Sequence, residues 1–184
     1  MNRVLNQQDF TEVFREALGP EHEYNPQEQV LRVSAEQLPA LFALLAHDER
    51  LAMDYLRDLT VKEQPAGEYY LVYNWASLAK HRTLMVLAKL PESLEAPTAT
   101  GYWESANWME REAYDMFGVR FRGHPDLRRI YLEETVSFFP LRKEFRLHQV
   151  VNVGDLGQRE AERAAKAHQA KAKGEEGAPQ EAAE

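Results

Sequence analysis

Four side chains that could do acid–base chemistry or hold a metal ion lie in one short stretch of the chain: Glu110, Glu112, Asp115 and His124. Carboxylates and imidazole serve both as general acid–base groups and as metal ligands. On a helix, however, Glu110 and Glu112 point about 200° apart and do not converge on one ion. Pro125 suits a rigid loop position for His124, and the two-His spacing of helical metal sites is absent. A network of structural ion pairs is therefore the simpler interpretation, and a free-standing carboxylate–histidine enzyme stays an alternative.

A second group of residues is basic and lies just downstream: Arg120, Arg122, Arg128, Arg129, Arg142 and Lys143. Asp126 is the only acid between Arg120 and Arg129. Aromatic and aliphatic residues are interleaved with these cations, namely Phe117, Phe121, Pro125, Leu127, Ile130 and Tyr131. Arginine makes bidentate contacts with carboxylates and phosphates, and arginines among aromatic residues are typical of protein–protein interface cores. The pattern predicts an interface, with a solvated face or a nucleic-acid-binding surface as alternatives.

Composition limits the other classes of function. The chain has 184 residues and a net charge of −8, which disfavours a uniform nucleic-acid-binding surface. It has no cysteine, so no disulfide, thiol nucleophile or thiolate-ligated cluster lies within it. The sequence has no glycine-rich phosphate loop, and no apolar run reaches the roughly 18 to 20 residues of a membrane span. Residues 1–9 lack the core of a signal peptide. We expect a cytoplasmic protein whose membrane association comes only through partners.

The elements that must position these residues follow from hydrophobic spacing. An amphipathic helix is predicted over residues 9–18, with an apolar face of Phe10, Val13, Phe14 and Ala17. Residues 30–34 alternate as a short strand does, and Ser34 and Gln37 match a capping box that opens a second helix. Further strands are predicted at residues 55–62, 69–75 and 82–90. The order of elements predicts an α+β fold, a two-layer sandwich of helices on a small mixed or antiparallel sheet.

The acid–base candidates fall on a third helix, predicted over residues 100–117 after a loop at residues 91–99. Its apolar stripe consists of Ala106, Met109, Ala113 and Met116. Arg111 and Asp115 have the i,i+4 spacing of an ion pair. Gly118 suits the left-handed residue that commonly ends a helix. From there to about residue 147 we predict an extended segment rich in arginine and proline.

The end of the chain differs in composition. No aromatic or branched aliphatic residue follows Leu156, and Ala, Glu, Lys and Gln dominate. We therefore predict an α+β domain over residues 1–150 and a charged tail over residues 151–184. Residues 158–173 could form a solvated helix. Residues 174–184 are predicted to be disordered, because they have no apolar surface to offset the entropy of ordering.

Three ordered motifs resemble the signature of the C subunit, the 30 kDa-type subunit, of the proton-translocating NADH:quinone oxidoreductase, respiratory complex I. They are ANWMEREAYDMFG at residues 106–118, GHPDLRRI at residues 123–130, and PLRK at residues 140–143 followed by an acid and an aromatic residue. The strand patterns LRDL at residues 56–59 and YLVY at residues 70–73 also resemble the family. The likeness spans about residues 51–145. It departs just before Pro140, where Ser137, Phe138 and Phe139 replace the usual glycine.

The resemblance implies which residues form the family signature and subunit interface: Glu110, Arg111, Glu112, Tyr114, Asp115, Phe117, Gly118, Gly123, His124, Pro125, Asp126, Arg128, Arg129, Pro140, Arg142 and Lys143. It implies no catalytic, cofactor-binding or metal-binding residue in this chain, since FMN, iron–sulfur clusters and quinone are bound by partner subunits. The implied role is a structural and assembly subunit of the peripheral arm, in a complex that transfers electrons from NADH to quinone and translocates protons.

The implied partners are the D, B and I subunits of complex I, with no nucleic acid, at the cytoplasmic side of the cell membrane. The D subunit is expected to be a separate chain. An equivalent subunit of a membrane-bound hydrogenase or of a photosynthetic-type dehydrogenase complex is the alternative, because these complexes share the signature.

The motifs also suggest how the signature could act. We expect the helix that carries Glu110, Arg111 and Glu112 and the loop at residues 123–130 to brace each other through buried charge pairs. The brace would present cations to a neighbouring subunit, namely Arg128, Arg129, Arg142 and Lys143. Breaking a buried pair leaves one charge without its partner, which typically costs about 3 to 5 kcal/mol.

Overall fold

The structure is a computed structural model that describes residues 7–20 and 22–145. Three α-helices are present in these residues: α1 (Gln7–Leu18), α2 (Leu38–His47) and α3 (Ala106–Phe117), with a 3-10 turn (Ala35–Gln37) before α2. The strands are β1 (Glu23–Asn25), β2 (Val30–Ser34), β3 (Tyr55–Glu63), β4 (Tyr69–Ser77), β5 (Arg82–Lys89), β6 (Glu95–Pro97) and β7 (Arg120–Arg122).

The main sheet is mixed and has five strands in the order β1-β2-β5-β4-β3. Strands β2 and β5 run parallel, and the other neighbours are antiparallel. Alternate residues of β4 and β5 point to one face and are buried there, in the register Leu71↔Ala88, Tyr73↔Val86 and Trp75↔Leu84. This alternation is what a sheet covered on one face requires. The predicted α+β class with a mixed sheet is confirmed.

One hydrophobic core joins the helices to that face of the sheet. The ring of Phe42 from α2 lies 5.8 Å from Tyr73 of β4 and 5.9 Å from Trp103, both edge-on. Tyr73 and Trp75 stack at 4.8 Å. From α3 the core takes in Ala106, Ala113 and Phe117. These contacts fix α3 against the sheet, and α3 carries the signature residues.

The predicted strands are confirmed to within two residues, and so is the helix predicted over residues 9–18. The capping box is formed on its glutamine side, where Gln37 Oε1 accepts the Ser34 N–H at 2.9 Å. The same Gln37 side chain donates to the Leu18 carbonyl at 3.1 Å, which ties α2 to the end of α1.

The prediction of a helix over residues 100–117 is wrong at its start, because α3 begins only at Ala106. The Trp103 indole donates to the Met53 carbonyl at 3.0 Å, and the Ser105 hydroxyl donates to the Leu56 carbonyl at 3.1 Å. These bonds hold the segment against the start of β3 in a turn conformation. The predicted loop at residues 91–99 also contains β6, which pairs in parallel with β7.

Gly118 ends α3 as predicted, in the left-handed conformation with φ +78°, and its N–H bonds to the Tyr114 carbonyl at 2.8 Å. Residues 118–143, here called the C-terminal arm, then pass through β7 and a series of turns. The described residues up to Lys143 form one compact unit. The predicted domain boundary at residue 150, the tail helix and the disordered end lie outside the described residues. Within residues 7–20 and 22–145, no helix has the length and apolarity to cross a bilayer.

Candidate functional site

Two buried residues of opposite charge, Asp115 and Arg129, join α3 to the C-terminal arm; we call this pair the charge knot. Arg129 Nη1 donates to Asp115 Oδ1 at 2.7 Å and to the Asp115 carbonyl at 3.0 Å. The side chains are 4% exposed for Arg129 and 0% for Asp115. A pair this dry is stable only if its remaining donors and acceptors also find partners.

The second carboxylate oxygen of Asp115 is bound by backbone. Oδ2 accepts three consecutive N–H groups of the arm, from Ile130 at 3.0 Å, Tyr131 at 2.7 Å and Leu132 at 3.1 Å. Burial by itself would raise the pKa of Asp115. The Tyr131 N–H, the Arg129 guanidinium and the other two N–H groups outweigh burial and lower that pKa below its ordinary value. Asp115 is therefore held as a carboxylate inside the protein.

The guanidinium of Arg129 binds further arm residues. Nη2 donates to the Val136 carbonyl at 2.9 Å and to the Phe138 carbonyl at 3.4 Å. Its central carbon lies 5.1 Å from the Phe139 ring and 5.9 Å from the Tyr114 ring. The charge knot thereby fixes two stretches of the arm, residues 129–132 and 136–139, on α3.

Gly118 allows the arm to close over the end of α3. A Cβ atom at this position would lie 2.6 Å from Arg142 Nη2 and 2.7 Å from the Phe139 ring, so only glycine fits without a shift. Arg142 Nε donates to the Phe117 carbonyl at 2.7 Å, and its guanidinium lies 4.4 Å from the Phe139 ring. Phe139 belongs to the segment that departs from the family pattern, and its ring fills the space above Gly118.

A second joint links Glu110 of α3 to the residues that follow β6, and His124 of the loop after β7 lies beside it. Glu110 Oε2 accepts the Thr98 hydroxyl and Oε1 accepts the Ala99 N–H, both at 2.6 Å. His124 Nε2 lies 4.0 Å from Glu110 Oε2, and both side chains are fully buried. Burial raises the pKa of Glu110 from its ordinary value of 4.5 to about 7, although the bonds from Thr98 and Ala99 lower it.

The expected brace is formed, but by other partners than predicted. The i,i+4 pair of Arg111 with Asp115 is wrong, because Asp115 is bound by Arg129. Arg111 instead donates to the Arg128 carbonyl at 3.1 Å and the Arg129 carbonyl at 3.4 Å, with its guanidinium 4.8 Å from the Trp108 ring. Glu112 is exposed and takes no part in a buried charge pair.

The expectation that the brace presents Arg129 to a neighbouring subunit is also corrected, since its side chain lies inside the chain. Arg128 is exposed and pairs with Asp126 at 2.6 Å in an ion pair whose side chains are 68% and 44% exposed. Lys143 is exposed as well, and its backbone N–H donates to Glu63 at 2.8 Å. Pro125 and Gly123 border an open cleft beside His124. The assignment of the signature residues to a subunit interface stays a prediction.

Several residues that build the site lie outside the predicted site residues: Thr98, Ala99, Glu134, Val136, Phe138 and Phe139. Ala99, Val136 and Phe138 contribute backbone groups, which residue type does not reveal. Glu134 Oε1 accepts the Arg129 N–H at 3.0 Å. Phe139 carried the one usable signal, an aromatic residue in place of the glycine that the family has there.

The buried charged side chains of the site are bound mainly by other groups of this chain. Among the described residues, no group of three His, Asp or Glu side chains is placed to hold a metal ion. Glu110 and His124 are adjacent, but neither side chain is open to a substrate. Arg129 and Arg142 direct their guanidinium groups to backbone carbonyls and rings of this chain, so they are not offered to phosphates. The arrangement holds the C-terminal arm on α3.

Comparisons with known proteins agree with this architecture. The sequence model of the family described as "Respiratory-chain NADH dehydrogenase, 30 Kd subunit" matches residues 31–151. The C 2 subunit of the NADH-quinone oxidoreductase of Rhizobium etli (strain CIAT 652) is 36% identical over 149 residues, covering 80% of this chain and 77% of the relative. The protein of the same name from Rhizobium meliloti (strain 1021) is 42% identical over 117 residues, covering 62% of this chain and 64% of the relative.

A solved structure shows the same fold. The trypsin-resistant fragment (1-134) of Nqo5 superimposes with a TM-score of 0.52 at 28% identity, covering 66% of this chain and 100% of the fragment.

Fold and site together define an α+β domain whose signature helix is tied to a downstream arm by a buried ion pair. The chain belongs to the family of the 30 kDa subunit of the respiratory-chain NADH dehydrogenase, so the resemblance inferred from the three motifs is confirmed. The family match begins at residue 31, upstream of the motifs that indicated it.

Proposed function

We propose that this chain is a cofactor-free structural subunit of the peripheral arm of an NADH:quinone oxidoreductase. In that complex, electrons would pass from NADH through FMN and iron–sulfur clusters of partner subunits to quinone, coupled to proton translocation. Membership of the family and relatives named as the C 2 subunit of NADH-quinone oxidoreductase support this role. The main structural support for this role is the charge knot, because Asp115 and Arg129 of the signature hold the C-terminal arm on α3.

The proposed partners are the D, B and I subunits of complex I, and the proposed location is the cytoplasmic side of the cell membrane. The signature helix and the arm expose large apolar side chains that a partner could cover: Trp108 (64% exposed), Tyr131 (68%) and Leu141 (55%). Exposed aromatic residues beside arginine are typical of interface hot spots. Arg128 and Lys143 lie in the same arm and would supply the polar rim.

The test uses the full chain in its native host, with an affinity tag and gentle detergent extraction. Mass spectrometry of the co-purified proteins should recover the flavin, iron–sulfur and membrane subunits of complex I. Trp108→Ala and Tyr131→Ala should lower this recovery, because they remove apolar area at the proposed interface. Tyr55→Ala is the matched control, since Tyr55 is an exposed aromatic residue of β3, outside the signature.

The outcome separates assembly from chemistry. NADH:quinone turnover, divided by the amount of assembled complex, should stay at the wild-type level in Trp108→Ala. Normal assembly with selectively lost turnover would contradict a structural role. Recovery of hydrogenase subunits would keep the role but change the electron donor, and recovery of the chain alone would reopen the enzyme hypothesis.

A further inference from the structure

The joint around Glu110 contains more than a buried carboxyl group. The Thr98 hydroxyl donates to Glu110 Oε2, and its oxygen lies 2.9 Å from the hydroxyl oxygen of Thr100. Either of the two threonine hydroxyls can donate to the other. Thr98 Oγ1 also accepts the Thr100 N–H at 3.2 Å. The three side chains thus form a continuous hydrogen-bonded row that ends at the carboxyl group.

The hydroxyl and carboxyl groups of this row all have hydrogen-bond partners in both protonation states of Glu110. With Glu110 ionised, Thr100 donates to Thr98 and Thr98 donates to the carboxylate. With Glu110 protonated, the carboxyl O–H donates to Thr98 and Thr98 donates to Thr100. Hydroxyl hydrogens rotate freely enough to allow this reversal. Neither state leaves a polar group of this row without a partner, so the row incurs no penalty for an unsatisfied group in either state.

The row leads to solvent. Thr98 and Thr100 line an open cleft of about 420 Å³ together with Gly101, Glu104, Asn107, Gly123 and Pro125. A cleft of that volume holds several waters, since a water occupies about 30 Å³ in the liquid. Glu104 is among the lining residues and makes the cleft acidic, which attracts protons. Water in the cleft therefore reaches the outer end of the row, while Glu110 stays buried at the inner end.

His124 links the carboxyl group to the loop of the second signature motif. His124 Nδ1 accepts the Asp126 N–H at 3.0 Å, so in this geometry the ring proton is on Nε2. Nε2 donates to the Asn107 carbonyl at 3.2 Å and lies 4.0 Å from Glu110 Oε2. A negative charge on Glu110 favours this ring orientation, which in turn keeps the turn at residues 124–126 closed.

The other elements around Glu110 contribute one more titratable group. Tyr73 of β4 is fully buried, and the pKa of its phenol is raised well above the ordinary value, first by burial and second by the charge of Glu110. The inward residues of β3 are apolar, namely Leu56, Leu59 and Val61. Arg111 and Arg129 direct their guanidinium groups to backbone carbonyls and to Asp115. Thr98, Ala99, His124 and Tyr73 thus set the environment of the carboxyl group.

We propose that Glu110 is a proton-binding site, which exchanges its proton with water in the cleft through the hydroxyls of Thr98 and Thr100, and whose charge state is transmitted by His124 to the turn at residues 124–126. On uptake, a hydronium ion in the cleft gives a proton to Thr100, Thr100 gives its own to Thr98, and Thr98 gives its own to Glu110 Oε2. Release runs in reverse, and no other bond changes. The site needs only this chain and does not depend on the proposed function.

The first test is an NMR titration of the full wild-type chain with carbon-13 in the glutamate carboxyl groups. The Glu110 carboxyl signal should titrate with a midpoint of about 7. The amide signals of Ala99 and Asp126 should shift with the same midpoint, because the Ala99 N–H donates to Glu110 and the Asp126 N–H donates to the His124 ring. A Glu110 signal that titrates together with the exposed glutamates, or an Asp126 amide that does not follow it, overturns the proposal.

Variants supply the second test. In wild type the folding equilibrium constant should fall about 30-fold between about pH 5.5 and pH 8, since the folded protein holds the Glu110 proton more tightly. Glu110→Gln should remove this fall, and Glu112→Gln, an exposed neighbour on α3, should keep it. Thr98→Val should raise the midpoint of the Glu110 signal, because it removes a bond that lowers the pKa, whereas Thr98→Ser should leave it unchanged. An unchanged pH dependence in Glu110→Gln overturns the proposal, and the wild-type titration decides if that variant does not fold.

Discussion

Helix α3 buries two carboxyl groups, Asp115 and Glu110, whose side chains are both 0% exposed yet whose pKa values shift in opposite directions. Asp115 accepts three N–H groups on one oxygen and an arginine on the other, and its pKa is lowered. Glu110 accepts one N–H and one hydroxyl, and its pKa is raised to about 7. At Asp115 the three N–H groups and the guanidinium outweigh burial, whereas at Glu110 burial outweighs the single N–H and the hydroxyl. The balance between burial and hydrogen-bond donors therefore decides the charge of each carboxyl group.

The comparison also separates two mechanical roles. Asp115 stays charged at neutral pH, so the charge knot is a fixed connection between α3 and the C-terminal arm in that range. Glu110 changes its charge near neutral pH, so its joint with His124 responds to conditions. If α3 buried only carboxyl groups like that of Asp115, its contacts would not change with pH in the physiological range.

The largest expected effect comes from breaking the charge knot. Asp115→Ala or Arg129→Ala should each lower the free energy of unfolding by about 3 to 5 kcal/mol, because the remaining buried charge loses its partner. Urea unfolding of the full chain measures this. The double variant should cost less than the sum of the two single variants. Glu112→Ala is the exposed control on the same helix, and single losses no larger than its own would refute the charge knot.

The next effect tests whether the arm supplies the donors that distinguish Asp115 from Glu110. Gly118→Ala places a Cβ atom 2.6 to 2.7 Å from Arg142 and Phe139. Gly67→Ala is a matched control, since Gly67 has nearly the same φ, +79°, with nothing within 4 Å of the added atom. Both variants share the strain of the left-handed conformation, and overpacking should make Gly118→Ala about 1 to 3 kcal/mol worse.

In Gly118→Ala the displaced arm should also raise the pKa of Asp115 and leave that of Glu110 unchanged, which carboxyl NMR resolves. Equal destabilisation of the two glycine variants would show that the arm does not press on Gly118.

The pH dependence of stability distinguishes the two carboxyl groups directly. The folded pKa of Asp115 is lowered, so its contribution is present above the unfolded value of 3.8 and is lost as the pH falls through the folded value. The folded pKa of Glu110 is raised, so its contribution is complete below 4.5 and is lost as the pH rises through about 7. Urea midpoints from about pH 3 to about pH 8.5 should therefore pass through a maximum. Asp115→Asn should flatten the acid side only.

A smaller effect is expected at Arg111, which lies between the two joints. Arg111→Ala removes hydrogen bonds to two carbonyls and leaves no buried charge without a partner, so the loss should be about 1 kcal/mol. Arg111→Lys should recover only part of it, because an ammonium group cannot reproduce the fork of the guanidinium. A loss as large as that of Arg129→Ala would mean that Arg111 supports the charge knot itself.

The smallest effect is expected at the exposed pair of Asp126 and Arg128. Asp126→Asn or Arg128→Gln should leave the urea midpoint within error, because water screens an ion pair this exposed. A double-mutant cycle should give no coupling energy that rises above the error. A clear coupling would show that the 124–126 turn needs this pair as well as the His124 ring.

Local pattern was enough to predict most of the fold. Loose alternation located β3, aromatic and β-branched residues located β4, and a largely apolar run located β5, each to within two residues. The spacing of Phe10, Val13 and Phe14 located α1, and the glycine after Phe117 located the end of α3. It failed at residues 95–105, where Trp103 and Ser105 bond to carbonyls of a segment some fifty residues earlier. The apolar stripe of α3 also missed Glu110 and Asp115, because a pattern based on hydrophobicity places charged residues outside.

The sequence by itself determined the family, the α+β class and the short stretch in which the important charges lie, since these depend on residue types and local spacing. Only the tertiary structure decided which charges meet. Arg111 lies four residues before Asp115 on α3, yet the Asp115 carboxylate binds Arg129 of the C-terminal arm. Three backbone N–H groups of the same arm bind this carboxylate as well, and the site that they form is buried. Residue type does not show where a backbone N–H group will donate. Only the folded structure shows that three N–H groups bind Asp115 and one binds Glu110.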